Sequence, residues 1–311
     1  MQPSNKPTAG WKILTNCSSI KRRRDAPINP DLHSRTLEGL CSAWIGRINA
    51  SSTLESVKST YGGRTFIEAA NASNLLNAEL YVISAGLGLV HTEDKIPNYN
   101  MTISSGSGSI ANWLREKRHL SKDWWAILNS TIGNPLPILR LIEESEGVIF
   151  ALPSTYLEMI KVEMEMIGDN YLNRVFIITS PAGQKLFNPP LKERCLPYDE
   201  RLNGALGYEG TRNDFPQRAL RHFVKEIDFK YSPINVIQSN VRTFIESNSI
   251  PLLPVRARMS DKEIKEIIYK NWGEYGGRRE NLLRYLRDKA LISCEQKRFG
   301  HLWNEVKLEI I

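Results

Sequence analysis

The hydrophobic residues of this chain concentrate in four short runs, at residues 11–15, 80–84, 147–152 and 174–179. Continuous apolar character over so short a stretch is typical of strands that are buried on both faces of a sheet. The segments between the runs carry apolar residues at helical spacing instead. Strands that alternate with helices predict an α/β fold, with a four-stranded parallel sheet and helices on both of its faces.

Helical spacing also defines where the connecting helices are expected. Ser154 or Thr155 is the expected N-cap of the helix that follows the third strand, because a hydroxyl oxygen there can accept from the first turn. Residues 188–212 are rich in glycine and lack periodicity, which predicts either a lid or a long connection. The predicted helices lie at residues 35–48, 65–76, 110–117, 122–128, 137–144, 154–167, 215–227 and 234–247.

The end of the chain has the pattern of a separate helical domain. Helices are predicted at residues 260–271, 278–289 and 294–306, the first of them opened by a capping box of Ser260 and Glu263. Three short basic helices favour a winged-helix-like or helix-turn-helix DNA-binding domain at residues 255–311, after an α/β domain at residues 1–250. The alternative is a small helical cap on the first domain. In the DNA-binding interpretation, the third helix presents Gln296, Lys297, Arg298 and His301.

Net charge and hydropathy indicate which kinds of partner the protein can have. The 311 residues carry a net charge of +7, a basic excess that favours a polyanionic partner. No apolar run approaches the length of a membrane span and the amino end is polar, so we expect a soluble cytoplasmic protein that does not bind membranes. The cysteines and histidines show no ligand spacing, which predicts no metal site and no disulfide framework. We further expect no cofactor and a monomer.

The first candidate site residues follow the end of the first predicted strand. Asn16, Cys17 and Ser18 are small polar residues, and Lys21, Arg22, Arg23 and Arg24 follow them directly. Hydroxyl and amide groups beside a run of cations suit an anionic or phosphorylated ligand, whereas an ordinary basic loop would be solvated. Cys17 has two interpretations, as a nucleophile beside cations or as a small buried residue.

The second predicted strand has a similar ending. Ser84 is followed by Gly86 and Gly88, then by a polar loop that contains His91, and the chain turns back at Tyr99. A buried strand that opens into a glycine turn and a polar loop is typical of the ligand crevices at the carboxyl ends of open α/β sheets. The same pattern also fits an ordinary junction between a strand and a loop.

These two stretches together resemble a known family. The segment ILTNCSSIKRRRDAPINPDL is similar to the signature CS.TK…APA.DLY of a bacterial family with a uracil-DNA-glycosylase-like domain. The segment LYVISAGLGLVHTEDKIPNYNMTI is similar to that family's YILSAKYGLL.PD..I.PYD.TL. Related signatures occur in a peroxide-stress DNA-binding protein and in a domain of archaeal tRNA-guanine transglycosylases. The resemblance is concentrated in the first third of the chain.

The resemblance implies roles for particular residues. Asn16 lies where the superfamily has an Asp or Asn that positions water, and Ser180, after the fourth strand, would donate to the base or to a phosphate. Tyr99 would stack on a flipped base, and the cations Lys21 to Arg24 would hold phosphates. The implied base pocket comprises Cys17, Ser18, Ser84, Gly86, Gly88, His91, Tyr99 and Ser154.

Departures from the family pattern bear on the substrate. The superfamily's Asp-Pro-Tyr and His-Pro-Ser motifs are absent, and Leu87 replaces the tyrosine of AKYGLL, so the pattern favours an unusual or bulky base over uracil. The combination resembles an anti-phage DNA glycosylase that excises glucosylated hydroxymethylcytosine from phage DNA and leaves an abasic site. No lysine is placed by the sequence for a lyase step, so a monofunctional DNA glycosylase is expected. The alternatives are a non-catalytic DNA-binding stress protein and an RNA base-exchange enzyme.

Overall fold

The structure is a computed structural model, and it describes residues 10–252 and 254–310. The chain divides into two units, Met1–Ile250 and Pro251–Ile311. The larger unit is an α/β domain built on a mixed five-stranded sheet, and the smaller one is mainly helical.

The strands of the larger unit form one main sheet and one small ribbon. In the main sheet the order is β4-β3-β1-β6-β7, where β4 runs antiparallel to β3 and the other neighbours are parallel. The ribbon is the antiparallel pair of β2 and β5. The strands are β1 (Trp11–Asn16), β2 (Glu55–Ser56), β3 (Glu79–Ser84), β4 (Gly88–His91), β5 (Lys95–Ile96), β6 (Gly147–Ala151) and β7 (Val175–Ile178).

The four expected parallel strands are present, but the sheet has a fifth strand, β4, which is antiparallel. β4 folds back on β3 and pairs Ser84 with Gly88, so the stretch expected to be a glycine turn and a polar loop is partly an antiparallel edge strand. Gly88 has a φ of +73°, which suits the reversal of the chain. In β4, buried and half-buried residues alternate, and it therefore lacks the continuous apolar run that marks the four parallel strands.

Helices cover both faces of the sheet. Every residue of β6 and β7 is buried, and successive strand residues point to opposite faces, so neither face is open to solvent. The helices of this unit are α1 (Leu37–Asn49), α2 (Val57–Thr60), α3 (Gly63–Leu76), α4 (Ala111–Glu116), α5 (Ser121–Thr131), α6 (Pro137–Glu143), α7 (Ser154–Glu165), α8 (Asp169–Leu172), α9 (Pro181–Gln184), α10 (Phe215–Glu226) and α11 (Ile234–Glu246).

Two details of the connections differ from expectation. The N-cap of α7 is Pro153, without a side-chain hydrogen bond, so the expected caps Ser154 and Thr155 lie inside the helix. The stretch at 188–212, which was expected to be irregular, contains short 3₁₀ helices at Leu191–Arg194 and Glu200–Gly204. A third, Arg212–Asp214, leads directly into α10.

The smaller unit packs its helices around an apolar core of its own. It contains α12 (Asp261–Lys270), α13 (Arg279–Arg284), a π-helical turn at Tyr285–Lys289 and α14 (Gln296–Ile310). The capping box of Ser260 and Glu263 is present at the start of α12. A short parallel pair, β8 (Ala257–Arg258) and β9 (Ile292–Ser293), ties the unit's start to the segment before α14.

Among the described residues, no helix combines the length and the apolar character that crossing a membrane requires.

A buried histidine makes the stability of the larger unit depend on pH. His222 is 1% exposed, its Nδ1 lies 2.7 Å from the Tyr198 hydroxyl, and burial lowers its pKa from 6.5 to about 4. The unfolded chain therefore binds a proton at a higher pH than the folded chain does. Stability conferred by the neutral ring is complete above about pH 6.5 and falls by about 1.4 kcal/mol per pH unit as the pH drops towards 4.

We expect this loss in denaturant unfolding curves recorded between pH 7 and pH 4.5. The variant His222→Phe removes the titrating group and should flatten the decline over that interval. An identical decline in the variant and the original protein would show that other groups cause it.

Candidate functional site

A cleft of about 1230 Å³ lies at the carboxyl ends of β1 and β6. Asn16 and Cys17 enter it from the end of β1, and Ser154 and Tyr156 enter it from the start of α7, which follows β6. Because β1 and β6 are parallel neighbours, their carboxyl ends meet at one edge of the sheet. The remaining walls are supplied by residues 63–65 and 211–214 and by some of the residues within 18–27 and 98–107.

The Asn16 side chain is held in a fixed orientation by a buried glutamine. The amide nitrogen of Gln217, a fully buried residue of α10, donates to Asn16 Oδ1 at 2.9 Å, to Thr15 Oγ1 at 3.0 Å and to the Ala151 carbonyl at 2.8 Å. Asn16 Nδ2 in turn donates to the Cys17 carbonyl at 3.0 Å. Both ends of the Asn16 amide are therefore held at the cleft surface, and the second lone pair of Oδ1 can accept a hydrogen bond from a bound molecule.

A thiol and a phenol meet on the same wall. Cys17 Sγ lies 3.0 Å from the hydroxyl of Tyr156, and both residues line the cleft. Tyr156 is 3% exposed, and its burial, followed by the nearby Cys17, raises the pKa of the phenol well above its usual value. Tyr156 is therefore a neutral hydrogen-bonding group at any physiological pH.

Lys21 extends over two tyrosine rings. Its Nζ lies 4.3 Å from the ring centre of Tyr99 and 5.6 Å from that of Tyr61. The backbone of Lys21 forms a bridge with Tyr61, which fixes the root of the side chain. Burial lowers the pKa of the Lys21 ammonium, and this effect is larger than that of Cys17, which raises the pKa.

A buried hydroxyl network supports these rings from below. The Tyr61 and Tyr99 hydroxyls are hydrogen-bonded to each other, and the Tyr99 hydroxyl lies 2.5 Å from Ser84 Oγ. Ser84 Oγ also accepts from the backbone nitrogens of Gly86 and Leu87, both at 3.1 Å. The serine thus joins the turn between β3 and β4 to the tyrosines that form the floor under Lys21.

Two carboxylates in the cleft are neutralised by arginines. Asp25 lies 2.8 Å from Arg23, whose side chain is 1% exposed. Asp214 lies 2.8 Å from Arg218 and 3.6 Å from Arg64. In the part of the chain that the structure describes, Lys21 and Arg212 line the cleft without a carboxylate within ion-pair distance. The cleft therefore has a positive electrostatic balance that favours an anionic ligand.

The residues expected from the sequence are only partly brought together. Those in the cleft wall are Asn16, Cys17, Ser18, Lys21, Arg23, Tyr99 and Ser154. Tyr99 is fully buried and its ring faces Lys21, so its expected stacking on a flipped base is wrong. Arg23 is engaged by Asp25 and Glu55 and is not available as an exposed phosphate contact. Its neighbours Arg22 and Arg24 lie outside the cleft wall and are exposed.

Several expected site residues have structural roles instead. Ser180 is outside the cleft wall and caps α9, accepting from the Gly183 nitrogen at 3.3 Å, because the sheet end beyond β7 is occupied by this short helix. Gly86 is required by close packing, since a Cβ there would lie 2.8 Å from the Tyr99 ring. Structural roles also replace the expected ones for Ser84, Gly88 and His91. Gly88 faces Asn129, and the His91 ring lies 5.0 Å from that of Tyr81.

Three residues that build the site were not predicted from the sequence. Gln217, Tyr156 and Arg64 come from three different helices, far apart in sequence. Gln217 had a usable signal, because a glutamine among the buried positions of an amphipathic helix needs polar partners. Tyr156 and Arg64 had no such signal, since aromatic and basic residues near helix starts are common.

In the smaller unit, the expected DNA-contacting residues lie at the start of α14. Gln296, Lys297 and His301 are exposed. Arg298 is engaged within the unit, because it pairs with Asp261 at 2.6 Å and donates to the Met259 carbonyl at 2.9 Å. Its guanidinium holds α14 against the start of α12.

Comparison with family models, with curated proteins and with solved structures finds no match to this chain.

Proposed function

We propose that the protein is a DNA glycosylase of the uracil-DNA-glycosylase-like type, which excises a modified base from DNA and leaves an abasic site. The observation that carries the proposal is the orientation of Asn16, held by Gln217 at the floor of a wide, positively charged cleft. A glycosylase has to break the bond between base and sugar through a transition state with oxocarbenium character. It therefore needs a polar group that orients water beside the sugar, and Asn16 Oδ1 fits that role.

The size of the cleft supports a bulky base. About 1230 Å³ lies above the usual range for a small-molecule pocket, which is about 300–1,000 Å³. Part of the wall is formed by small residues, namely Gly106 and the hydroxyl-bearing Ser104, Ser105 and Ser107. Hydroxyl-bearing walls suit a base that carries a sugar, and we propose glucosylated hydroxymethylcytosine of phage DNA as the substrate. The biological role would then be defence against phages.

The charge of the cleft supports a nucleic-acid substrate. Lys21 and Arg212 can donate hydrogen bonds to phosphate oxygens, and the exposed Arg22 and Arg24, which follow Lys21 in the chain, add positive charge. A flipped nucleotide brings its flanking phosphates to the mouth of the pocket, where such cations stabilise the complex. The smaller unit would add affinity for duplex DNA through Lys297 and its exposed neighbours on α14.

Base release from defined DNA tests this function directly. The protein is incubated with unmodified, hydroxymethylated and glucosylated duplexes, the released base is identified by mass spectrometry, and abasic sites are revealed by alkali cleavage. We expect release of the glucosylated base only. Tight binding without release would instead indicate a DNA-binding protein, and preference for tRNA in competition would indicate a base-exchange enzyme.

The salt dependence of DNA binding tests the positive surface beside the cleft. Neutralising both exposed arginines in the variant Arg22→Gln/Arg24→Gln should weaken binding and flatten the plot of log affinity against log salt by about 2 units of slope, because each phosphate contact contributes about 0.9. Binding titrations across a range of salt concentrations measure the slope. A matched control is Arg201→Gln, which removes a cation that is paired with Asp199 outside the cleft wall. An unchanged slope in the double variant would contradict phosphate contacts here.

A further inference from the structure

The amine of Lys21 belongs to the cleft in which the proposed glycosylase reaction would form an aldehyde. Lys21 lines the same cleft as Asn16, and its position is fixed by the backbone bridge to Tyr61 and by the ring of Tyr99 beneath the amine. Its one polar side-chain contact among the described residues is a long one, 3.5 Å to the Ser18 carbonyl. Among the described residues, the amine is thus held in place without forming an ion pair with a carboxylate.

Burial of this amine increases the fraction that is neutral and nucleophilic at a given pH. Burial lowers the pKa of the ammonium because desolvation penalises the charged form, while the faces of the Tyr99 and Tyr61 rings attract the cation. Lysines that are desolvated in this way are the ones that attack carbonyl groups. Lys12 of β1 shows the contrast, because its amine forms an ion pair with the Glu79 carboxylate at 2.7 Å.

We propose that Lys21 forms a Schiff base with the aldehyde of an abasic deoxyribose and so gives the protein a strand-cleaving lyase activity. This inference rests on the proposed glycosylase function, whose product carries that aldehyde at C1′. It goes beyond base release because it assigns a second bond cleavage to the same cleft.

The chemistry balances without any further reactant. The lysine nitrogen attacks C1′ of the open-chain sugar, and loss of water gives a protonated imine. A proton then leaves C2′ to solvent, the C3′–O3′ bond breaks, and the oxygen departs with the phosphate as the 5′ end of the downstream strand. Water hydrolyses the imine, which regenerates Lys21 and releases the unsaturated aldehyde on the upstream strand.

A duplex with one preformed abasic site tests the proposal independently of base excision. The full-length protein is incubated with this duplex in the presence of sodium cyanoborohydride, which reduces an imine to a stable covalent bond. We expect a covalent protein–DNA complex whose linkage maps to Lys21 by peptide mass spectrometry, and strand cleavage without alkali when the reductant is omitted. Lys21→Met and Lys21→Arg should both lose these products, while Lys185→Met, at an exposed position outside the cleft wall, should retain them.

The outcomes separate the two proposals. Trapping in Lys21→Arg at the level of the original protein, or linkage at another lysine, would overturn the role of Lys21. Release of the modified base without any trapping would overturn the lyase step and leave the glycosylase function standing. Trapping at Lys21 without release of any base would support the lyase step and contradict the proposed glycosylase function. If Lys21→Met fails to fold in a thermal melt, the mapped linkage in the original protein still decides the matter.

Discussion

Replacing Asn16 by Ala should lower the single-turnover rate of base release by about 10² to 10⁴-fold, the scale that the loss of one positioned catalytic group produces. Folding should change little. Gln217 Nε2 has two hydrogens and loses one of three acceptors, because Thr15 Oγ1 and the Ala151 carbonyl stay in place. DNA affinity should also be retained, since the cations of the cleft are not altered.

The competing account is that Asn16 only stabilises the turn after β1 through its bond to the Cys17 carbonyl. Loss of that bond would cost about 1 kcal/mol of stability and little activity. Thermal melting and base release measured on the same variant separate the accounts. Asn248→Ala, which removes a side-chain bond to the Phe244 carbonyl away from the cleft, controls for the loss of a capping amide. A lowered melting temperature with near-normal chemistry would contradict the catalytic role.

The second large effect concerns Arg218. Its side chain is fully buried, pairs with Asp214 at 2.8 Å, and donates to Asn203 Oδ1 and the Thr211 carbonyl, both at 2.8 Å. Arg218→Leu leaves the Asp214 carboxylate, whose side chain is 5% exposed, with the longer ion pair to Arg64 and the hydrogen bond from the Thr211 backbone nitrogen. Removing one partner of a buried ion pair costs about 3–5 kcal/mol of unfolding free energy.

Guanidinium unfolding measures this loss. The matched control is Arg201→Leu, because Arg201 also pairs with an aspartate at 2.7 Å but its side chain is 35% exposed. Exposed pairs contribute about 0–1 kcal/mol, so the control should unfold almost as the original protein does. Equal losses in the two variants would mean that burial does not set the strength of the Arg218 contacts.

The sequence predicted the parallel strands well because their signal is local. Residues 147–152 were expected as a buried strand, and β6 spans Gly147–Ala151 with every residue buried. β4 could not be recognised in the same way. It is short, it begins at a glycine, and its pairing with β3 depends on the reversal at residues 85–87. A strand of this kind is specified by its partner more than by its own hydrophobic pattern.

The site was predicted where it follows from strand order and missed where it depends on tertiary contacts. Asn16 and Cys17 follow β1 directly, and the carboxyl ends of neighbouring parallel strands meet, so their place in the cleft could be inferred. The same reasoning failed for Ser180. The end of β7 leads into α9, and the serine caps that helix instead of facing the cleft. No local pattern distinguishes a serine that caps a helix from one that binds a ligand.

The bond between Gln217 and Asn16 joins residues that are 201 positions apart. The oxygen of the Asn16 amide is therefore without this partner until α10 has docked, and contacts of such high sequence separation form slowly because loop closure must precede them. During synthesis, the ribosome has added more than half of the chain before the partner of Asn16 emerges. The proposed base excision therefore requires the complete α/β domain, because the Asn16 oxygen is oriented only after α10 has docked.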